Sequence, residues 1–388
     1  MKILSIETSC DETAVAIVEA EGGLSSPNFK VLGNALYSQI DIHKEYGGVF
    51  PMLAKREHAK NLTPLLVKAL TEASEFIETQ NNYTEEKWQE IKNILSREDE
   101  LYDDFRKVFE KIQKPNIDLI SVTSGPGLAP ALWVGISFAL ALEKLWEISV
   151  VPVNHMEGHI VSVLIQNEDK EQVKFPALAL LISGGHTELV KISDWGKYEI
   201  LGQTMDDAVG EAFDKVARML NLPYPGGPEI SKLAEEADAL NIPQKAKLPR
   251  PMLHSNNLNF SFSGLKTSVL YYIRDNGPLS DTDKKDLARD FENSVVDVLV
   301  SKTETAINET GAKTLIVAGG VISNKKIRQS FSELTKRYSD LSIKLPTKDL
   351  ATDNALMIAC ASYINIILNP DLKNRTKNII AEGNLKLK

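Results

Sequence analysis

Two histidines, His155 and His159, stand four residues apart in the stretch VPVNHMEGHIVS, residues 151–162. On a helix this spacing puts both imidazoles on one face, where both can bind one metal ion. The pair alone reads equally as two ordinary hydrogen-bonded histidines. A zinc protease places its glutamate directly after the first histidine; here Met156 fills that slot and Glu157 follows it. At about 100° per residue, a side chain two positions on projects about 200° round the helix, away from a metal on the histidines. The stretch therefore fits a metal-binding helix better than a protease helix. Two histidines need a further ligand, most naturally a carboxylate. In TKDLATDNALMIA, Thr352 and Asp353 precede an apolar helical run. They read either as a helix cap or, for Asp353, as that ligand. Asp11 and Glu12 form an acidic pair after the first apolar segment, either solvated and capping or placed to handle a metal, a water or an amine. Asp214, in GEAFDKVARML, reads first as a helix-face carboxylate.

Glycine-rich turns suggest a second kind of chemistry. LISGGHTE puts Ser183, Gly184 and Gly185 behind a strand, where backbone N–H groups can approach phosphate oxygens closely. AGGVISN repeats the pattern, with Asn324 near a helix start, and YPGGP spans residues 224–228. Each is weak alone, since paired glycines after a strand are often only a turn. Together they point to a phosphate or nucleotide pocket, and no G-x-x-x-x-G-K-[ST] run is present.

These residues need elements to hold them. Residues 2–19 and 177–193 both read as strand, tight turn, strand; residues 314–331 read as strand, glycine turn, helix. Residues 117–146 read as strand, Gly-Pro-Gly turn and long apolar helix. A hairpin near the start of each half predicts an α/β chain of two duplicated lobes with a cleft between them. The reading assigns 1–150 to a first lobe, completed by a helix at about 355–368, and 151–354 to a second lobe carrying both the metal and the nucleotide residues. Residues 71–114 break the rhythm. Two stripes at helical spacing, Trp88, Ile91, Leu95 and Leu101, Phe105, Val108, Ile112, predict a solvent-exposed helical hairpin inserted in the first lobe. The polar run 369–388 predicts a loose tail.

Composition bounds the class. The 388 residues are 43% hydrophobic and 25% charged, as in a globular protein of two ordinary domains. The net charge of −9 argues against a chain that grips nucleic acid unaided. Lys55, Arg56, Lys60, Lys245, Lys247 and Arg250 are the local basic groups that could meet phosphates, or simply be solvated. Two cysteines, Cys10 and Cys360, predict no disulfide framework and a reducing, cytoplasmic setting. MKILSIE reads as a strand, so no signal or transit peptide is expected, and no apolar stretch is expected to reach the roughly 18–20 residues of a membrane helix.

Taken in order, IETSCDET, YGGVFPMLAKREH, SGPGLAPALWVG, NHMEGH, LISGGHTELV, DDAVGEAFDKVARMLNLPYPGGP, FSFSGLKT, VAGGVISN and TDNALMIA resemble the tRNA N6-threonylcarbamoyladenosine transferase family, closest to its bacterial and organellar form. The resemblance covers nearly the whole chain outside about 71–114 and the tail. It implies the two-lobed α/β fold of actin, the heat-shock ATPases and sugar kinases. It implies transfer of a threonylcarbamoyl group from threonylcarbamoyl-adenylate to N6 of the adenosine 3′ of the anticodon in tRNAs reading ANN codons, releasing AMP. By resemblance, His155, His159 and Asp353 hold one divalent metal, Fe2+ or Zn2+. Leu181, Ile182, Ser183, Gly184, Gly185, Asp214, Gly227 and Asn324 hold the adenylate, and Asp11 and Glu12 serve catalysis. The implied partners are tRNA, a catalytically silent paralogue and a small ATPase, with no membrane; the helix starting near Met52 is the implied pairing surface. Asn154 replaces a histidine common in bacterial members, and Met52 stands where a glutamate is expected. The rival readings are a small-molecule kinase of the same fold, the non-catalytic paralogue itself, and the protease.

Overall fold

The same order of strands and helices runs through the chain twice. The computed structural model describes residues 1–79, 81, 83–165, 172–374 and 378–387. It divides into two compact units, one of Met1–Asp41, Val49–Gln172 and Asp353–Leu387, the other of Ile42–Gly48 and Val173–Thr352.

The first pass contains β1 (Lys2–Glu7), β2 (Glu12–Glu21), β3 (Asn28–Ser38), α1 (Ile40–His43), α2 (Pro51–Glu72), α3 (Glu85–Ile94), α4 (Asp99–Phe109), β4 (Leu119–Gly125), α5 (Ala129–Trp146), β5 (Val150–Asn154) and α6 (His155–Val161). The second contains β6 (Ala177–Ile182), β7 (Thr187–Asp194), β8 (Lys197–Gln203), α7 (Val209–Met219), α8 (Gly226–Ala239), α9 (Ser263–Asn276), α10 (Asp281–Thr310), β9 (Thr314–Ala318), α11 (Lys325–Ser332), β10 (Ser342–Lys344) and α12 (Lys348–Ala351). The chain then returns to the first unit as α13 (Ala355–Leu368).

One sheet has the order β3-β2-β1-β4-β5 and the other β8-β7-β6-β9-β10. In each, the first strand is antiparallel to the second and parallel to the fourth. The duplicated α/β design is therefore present. β4 and β6 are buried along their whole length, as central strands covered on both faces should be.

The unit boundary differs from the sequence reading. β5 is the last strand of the first sheet, and α6 packs on α13, β4 and β5. His155 and His159 thus belong to the first unit. The 71–114 segment also differs from a solvent-exposed hairpin. Trp88, Ile91, Leu95, Leu101, Phe105 and Phe109 are buried, and α3 and α4 join the core around α5. Phe105 meets Phe138 edge-on at 5.6 Å between ring centroids, and Phe109 meets Trp146 at 5.7 Å. The physical reason is α5 itself: apolar on nearly every face, it needs cover beyond the sheet. By length and composition α5 is apolar enough to cross a membrane, contrary to the sequence expectation, yet most of it is core.

The C-terminal residues 378–387 are held rather than loose. The Glu382 N–H donates to the Ser124 carbonyl at 2.8 Å, Gly127 N–H to the Gly383 carbonyl at 3.1 Å, and Asn154 Nδ2 to the Lys386 carbonyl at 3.2 Å. Backbone pairing with the end of β4 anchors this segment, and Ile379 and Ala381 pack on the first unit's core; both partners are distant in sequence, so hydropathy along the tail did not reveal it.

Candidate metal centre and ligand pocket

The first unit builds its site from side chains. Asn154 ends β5 and caps α6, its Oδ1 accepting from the N–H of Met156 at 2.9 Å and of Glu157 at 3.3 Å. The helix thus begins at His155 and presents His159 on the same face, with ring centroids 4.7 Å apart. Gly158 lets α6 approach α13 closely: a Cβ there would lie 3.1 Å from Met357 Cγ and 3.2 Å from Ile358 Cδ1. The cap of α13 is Asn354, whose Oδ1 accepts from the Met357 N–H at 3.0 Å. Asp353 is therefore released from the capping role that its position suggested. Its Oδ1 lies 3.1 Å from His159 Nε2 and 3.4 Å from His155 Nε2.

The donor set suits a divalent transition metal. One ligand atom from each of His155, His159 and Asp353 falls within 4.8 Å of the others. Two imidazoles and one carboxylate suit iron or zinc. Behind His155 stands Glu7, fully buried at the end of β1, with Oε2 3.2 Å from His155 Nδ1 and accepting from Thr123 Oγ1 at 2.5 Å. Its Oε1 accepts from the Ser9 N–H at 2.5 Å. Such a carboxylate fixes the ring's tautomer and leaves Nε2 for a metal. His159 Nδ1, by contrast, is buried with no hydrogen-bond partner among the described residues. Burial opposes ionisation of Asp353, but His155 and His159 overcome it and hold its carboxyl well below the usual range. Burial also opposes charge on His155, and the facing Asp353 and Glu7 carboxylates push its pKa well above the ordinary value. Glu157 points elsewhere, its Oε2 accepting from Asn365 Nδ2 at 2.7 Å.

Asp11 and Glu12 lie in the same unit, at the turn from β1 into β2. Burial, then the charges of Asp11 and Asp353, push Glu12 well above the ordinary carboxylate value. Ser38 Oγ donates to Glu12 Oε1 at 3.3 Å. The Cys10 thiol is pushed well up by burial and by Asp11, Asp353 and Glu12, which makes it a poor nucleophile.

The second unit builds its site largely from backbone. A cavity of about 530 Å³ is lined by Gly184, Gly210, Asp214, Gly227, Ser231 and Asn324 among others. That volume suits a small molecule. Ser183 shapes the turn after β6, its Oγ accepting from the N–H groups of Gly185 at 3.3 Å and His186 at 3.0 Å. At Gly184, Gly185, Gly227 and Gly320 an added Cβ would meet nothing within 4 Å. Gly226 is different, since its Cβ would come within 2.5 Å of Ala217 Cβ and 2.8 Å of Asp214 Cα. Asp214 Oδ1 accepts from the Gly226 N–H at 2.7 Å, so it caps the start of α8.

Of the eight residues expected to hold a nucleotide, Gly184, Asp214, Gly227 and Asn324 line the cavity. Leu181 and Ile182 are buried within β6, and Ser183 and Gly185 complete the turn beside Gly184. Asn324 caps α11, Oδ1 accepting from the Ile327 N–H at 2.9 Å, while Nδ2 reaches Ser231 Oγ at 2.6 Å and Glu292 Oε1 at 2.7 Å. Ser231 Oγ also donates to Glu292 at 2.8 Å. Ser231 and Glu292 escaped the sequence reading because each sits mid-helix without a motif. Of the six basic residues considered for phosphates, Lys55, Arg56, Lys60, Lys245 and Arg250 are in ion pairs with acidic neighbours.

Comparison with known proteins adds the wider context. A family model described as TsaD, tRNA N6-adenosine threonylcarbamoyltransferase, matches residues 30–78 and 105–360. A protein of that description from Herminiimonas arsenicoxydans is 41% identical over 372 residues, covering 96% of this chain and 94% of its own length. One from Burkholderia mallei is 42% identical over 381 residues, covering 97% and 95%. Among solved structures, full-length HypF in its phosphate- and nucleotide-bound form is 13% identical with a TM-score of 0.49, covering 70% of this chain and 42% of HypF. Component A of the Acidaminococcus fermentans (R)-2-hydroxyglutaryl-CoA dehydratase is 13% identical with a TM-score of 0.47, covering 93% and 96%.

Proposed function

Because the chain belongs to the tRNA N6-adenosine threonylcarbamoyltransferase family, we propose that it transfers the threonylcarbamoyl group of threonylcarbamoyl-adenylate to N6 of the adenosine just 3′ of the anticodon, in tRNAs reading ANN codons. The match over 96% of the chain carries this reading. The His155, His159, Asp353 set and the glycine-lined cavity are the two site types the reaction calls for. A kinase of the same fold has no use for the ligand set, and a silent paralogue would have no reason to keep it.

The donor is a mixed carbamic–phosphoric anhydride, already activated. N6 attacks its carbonyl carbon, the bond from that carbon to the phosphate oxygen breaks, and AMP leaves with the electron pair. The N6 proton goes to a carboxylate of the Asp11 and Glu12 pair. Burial and then the Asp11 charge raise the Glu12 carboxyl above its ordinary value, so the two residues of the pair differ in their hold on a proton. The second unit's cavity would hold the AMP half, where Gly184, Gly227 and Gly320 leave room for its phosphate to approach the backbone. His155, His159 and Asp353 would hold a divalent cation, Fe2+ by preference, which would supply Lewis-acid charge. The N6 lone pair is delocalised into the purine, so positioning it against the carbonyl supplies much of the rate.

The acidic chain, with most of its candidate basic residues already paired, would rely on other proteins for much of its tRNA grip. A silent paralogue docking near the start of α2, where Phe50 and Met52 are exposed, and a small ATPase fit that need. A cytoplasmic setting goes with it. The test is to combine the protein, Fe2+ or Zn2+, threonylcarbamoyl-adenylate and unmodified tRNA, with and without such partners, and to look for the modified nucleoside by mass spectrometry. Product in either arm supports the transferase. AMP release without product in both arms points to a hydrolase, and neither signal removes the reading.

A further inference from the structure

We propose that His58 is a positioning residue for the acidic turn, setting where Asp11 and Glu12 meet the acceptor. His58 lies on α2, far in sequence from that turn, and is completely buried. Its ring reaches both sides of the Asp11–Glu12 pair. Nε2 is 3.0 Å from the Cys10 carbonyl oxygen, and Nδ1 is 2.8 Å from Thr13 Oγ1. A carbonyl only accepts, so Nε2 carries the proton, and Nδ1 accepts from the Thr13 hydroxyl. Gln39 Nε2 also donates to Nδ1 at 3.3 Å, while the Gln39 N–H donates to the Asp11 carbonyl at 2.9 Å. One buried imidazole and one buried amide thus fix the backbone at Cys10 and Asp11 and the side chain at Thr13.

The turn needs this because Ser9, Cys10 and Asp11 lie outside any strand, and ladder pairing resumes only at Glu12 with Ser38. A shift of about 1 Å at a reacting group can cost on the order of a hundredfold in rate. A phenylalanine at position 58 would fill the space and hold neither anchor.

This inference rests on the reading that Asp11 and Glu12 serve the transfer. The experiment measures single-turnover transfer, KM for threonylcarbamoyl-adenylate and metal content in the full chain, with its partners where these are needed. His58→Phe should lower the rate about a hundredfold, with KM within about twofold and metal unchanged. His58→Gln, which keeps a donor near the Nε2 position, should regain about tenfold of the loss. A folded His58→Phe protein within twofold of the unaltered rate overturns the proposal, as does a loss carried wholly by KM or by metal content. Should His58→Phe not fold, Thr13→Val takes its place: a fall of about tenfold supports the proposal and an unchanged rate overturns it. Asp11→Asn and Glu12→Gln separate the two levels. If neither slows transfer, the role of the turn fails; if they do and His58→Phe does not, only the role of His58 fails.

Discussion

The candidate metal centre of the first unit and the cavity of the second are built from opposite materials. The first gathers charged side chains into a buried space, where His155, His159, Asp353 and Glu7 answer one another's charge and hydrogen bonds. The second removes side chains, so that Gly184, Gly227 and Gly320 leave backbone facing an open cavity. A side-chain site is specified by what is present and fails when a group is deleted. A backbone site is specified by what is absent and fails when a group is added. The two should therefore break under opposite kinds of mutation.

The largest effect belongs to deletion at the side-chain site. Asp353→Ala removes the proposed oxygen ligand and the charge opposite two buried imidazoles. Metal affinity should fall by more than the ~10–100-fold typical of losing a ligand's hydrogen-bond partner. Titration against a chromophoric chelator measures it, and affinity unchanged within threefold would remove Asp353 from the ligand set. Next comes Glu7→Gln, which keeps shape but loses the carboxylate on His155 Nδ1. Its expected loss is ~10–100-fold, with an altered visible spectrum of the Co2+-substituted protein. An effect as large as that of Asp353→Ala would instead make Glu7 a ligand.

The contrast also explains what could be read from the sequence. Residue type and spacing put His155 and His159 on one helix face, where the structure has them, but the pair alone reads equally as ligands or as ordinary hydrogen-bonded histidines. Asp353 stayed ambiguous because its neighbour Asn354, the true cap, has the same local signature. The strand–turn–strand repeats were legible because apolar periodicity is local, and the β1–β2 and β6–β7 hairpins stand where they were read, while the outer strands β3, β5, β8 and β10 were not read. The unit boundary was not legible, since β5 joins the first sheet by pairing with β4 and α6 joins the first unit through α13, which arrives from about 200 residues away, as the sequence numbering shows. The buried face of α3 and α4 was visible as a stripe, but its partner, α5, was not. Phe105→Ala should accordingly cost about 3–5 kcal/mol in unfolding free energy, where a solvent-exposed hairpin would lose almost nothing.

Addition at the backbone site sharpens the comparison further. Gly227→Leu places a side chain in open cavity, so AMP binding should weaken at least about tenfold (~1.4 kcal/mol) at unchanged Tm. Its neighbour reverses the pattern: Gly226→Ala drives a Cβ into Ala217 and should cost ~1–3 kcal/mol of stability. Calorimetric AMP titration and thermal melts on both variants test the pair. Equal effects on both readouts would mean that the cavity is no more specialised than the packing beneath it.

The smallest expected effect lies where the backbone site does use a charge. Glu292 accepts from Ser231 and Asn324 beneath the cavity, yet burial pushes its carboxyl above the ordinary glutamate value despite those bonds. The folded state therefore binds this proton more tightly than the unfolded state. Between the ordinary glutamate value and the raised one, the folded chain carries more protons, so this group's contribution makes stability fall as pH rises. The sign is opposite to that of Asp353, whose depressed value contributes stability that is lost as pH falls. Glu292→Gln removes the titration while keeping an oxygen for Ser231 and Asn324. Relative to the unaltered chain, the variant should gain in Tm as pH rises from below the ordinary glutamate value to neutrality, by at most a few degrees. A parallel pair of Tm-against-pH curves would show that Glu292 titrates alike in both states, and that the hydrogen bonds from Ser231 and Asn324 offset its burial completely.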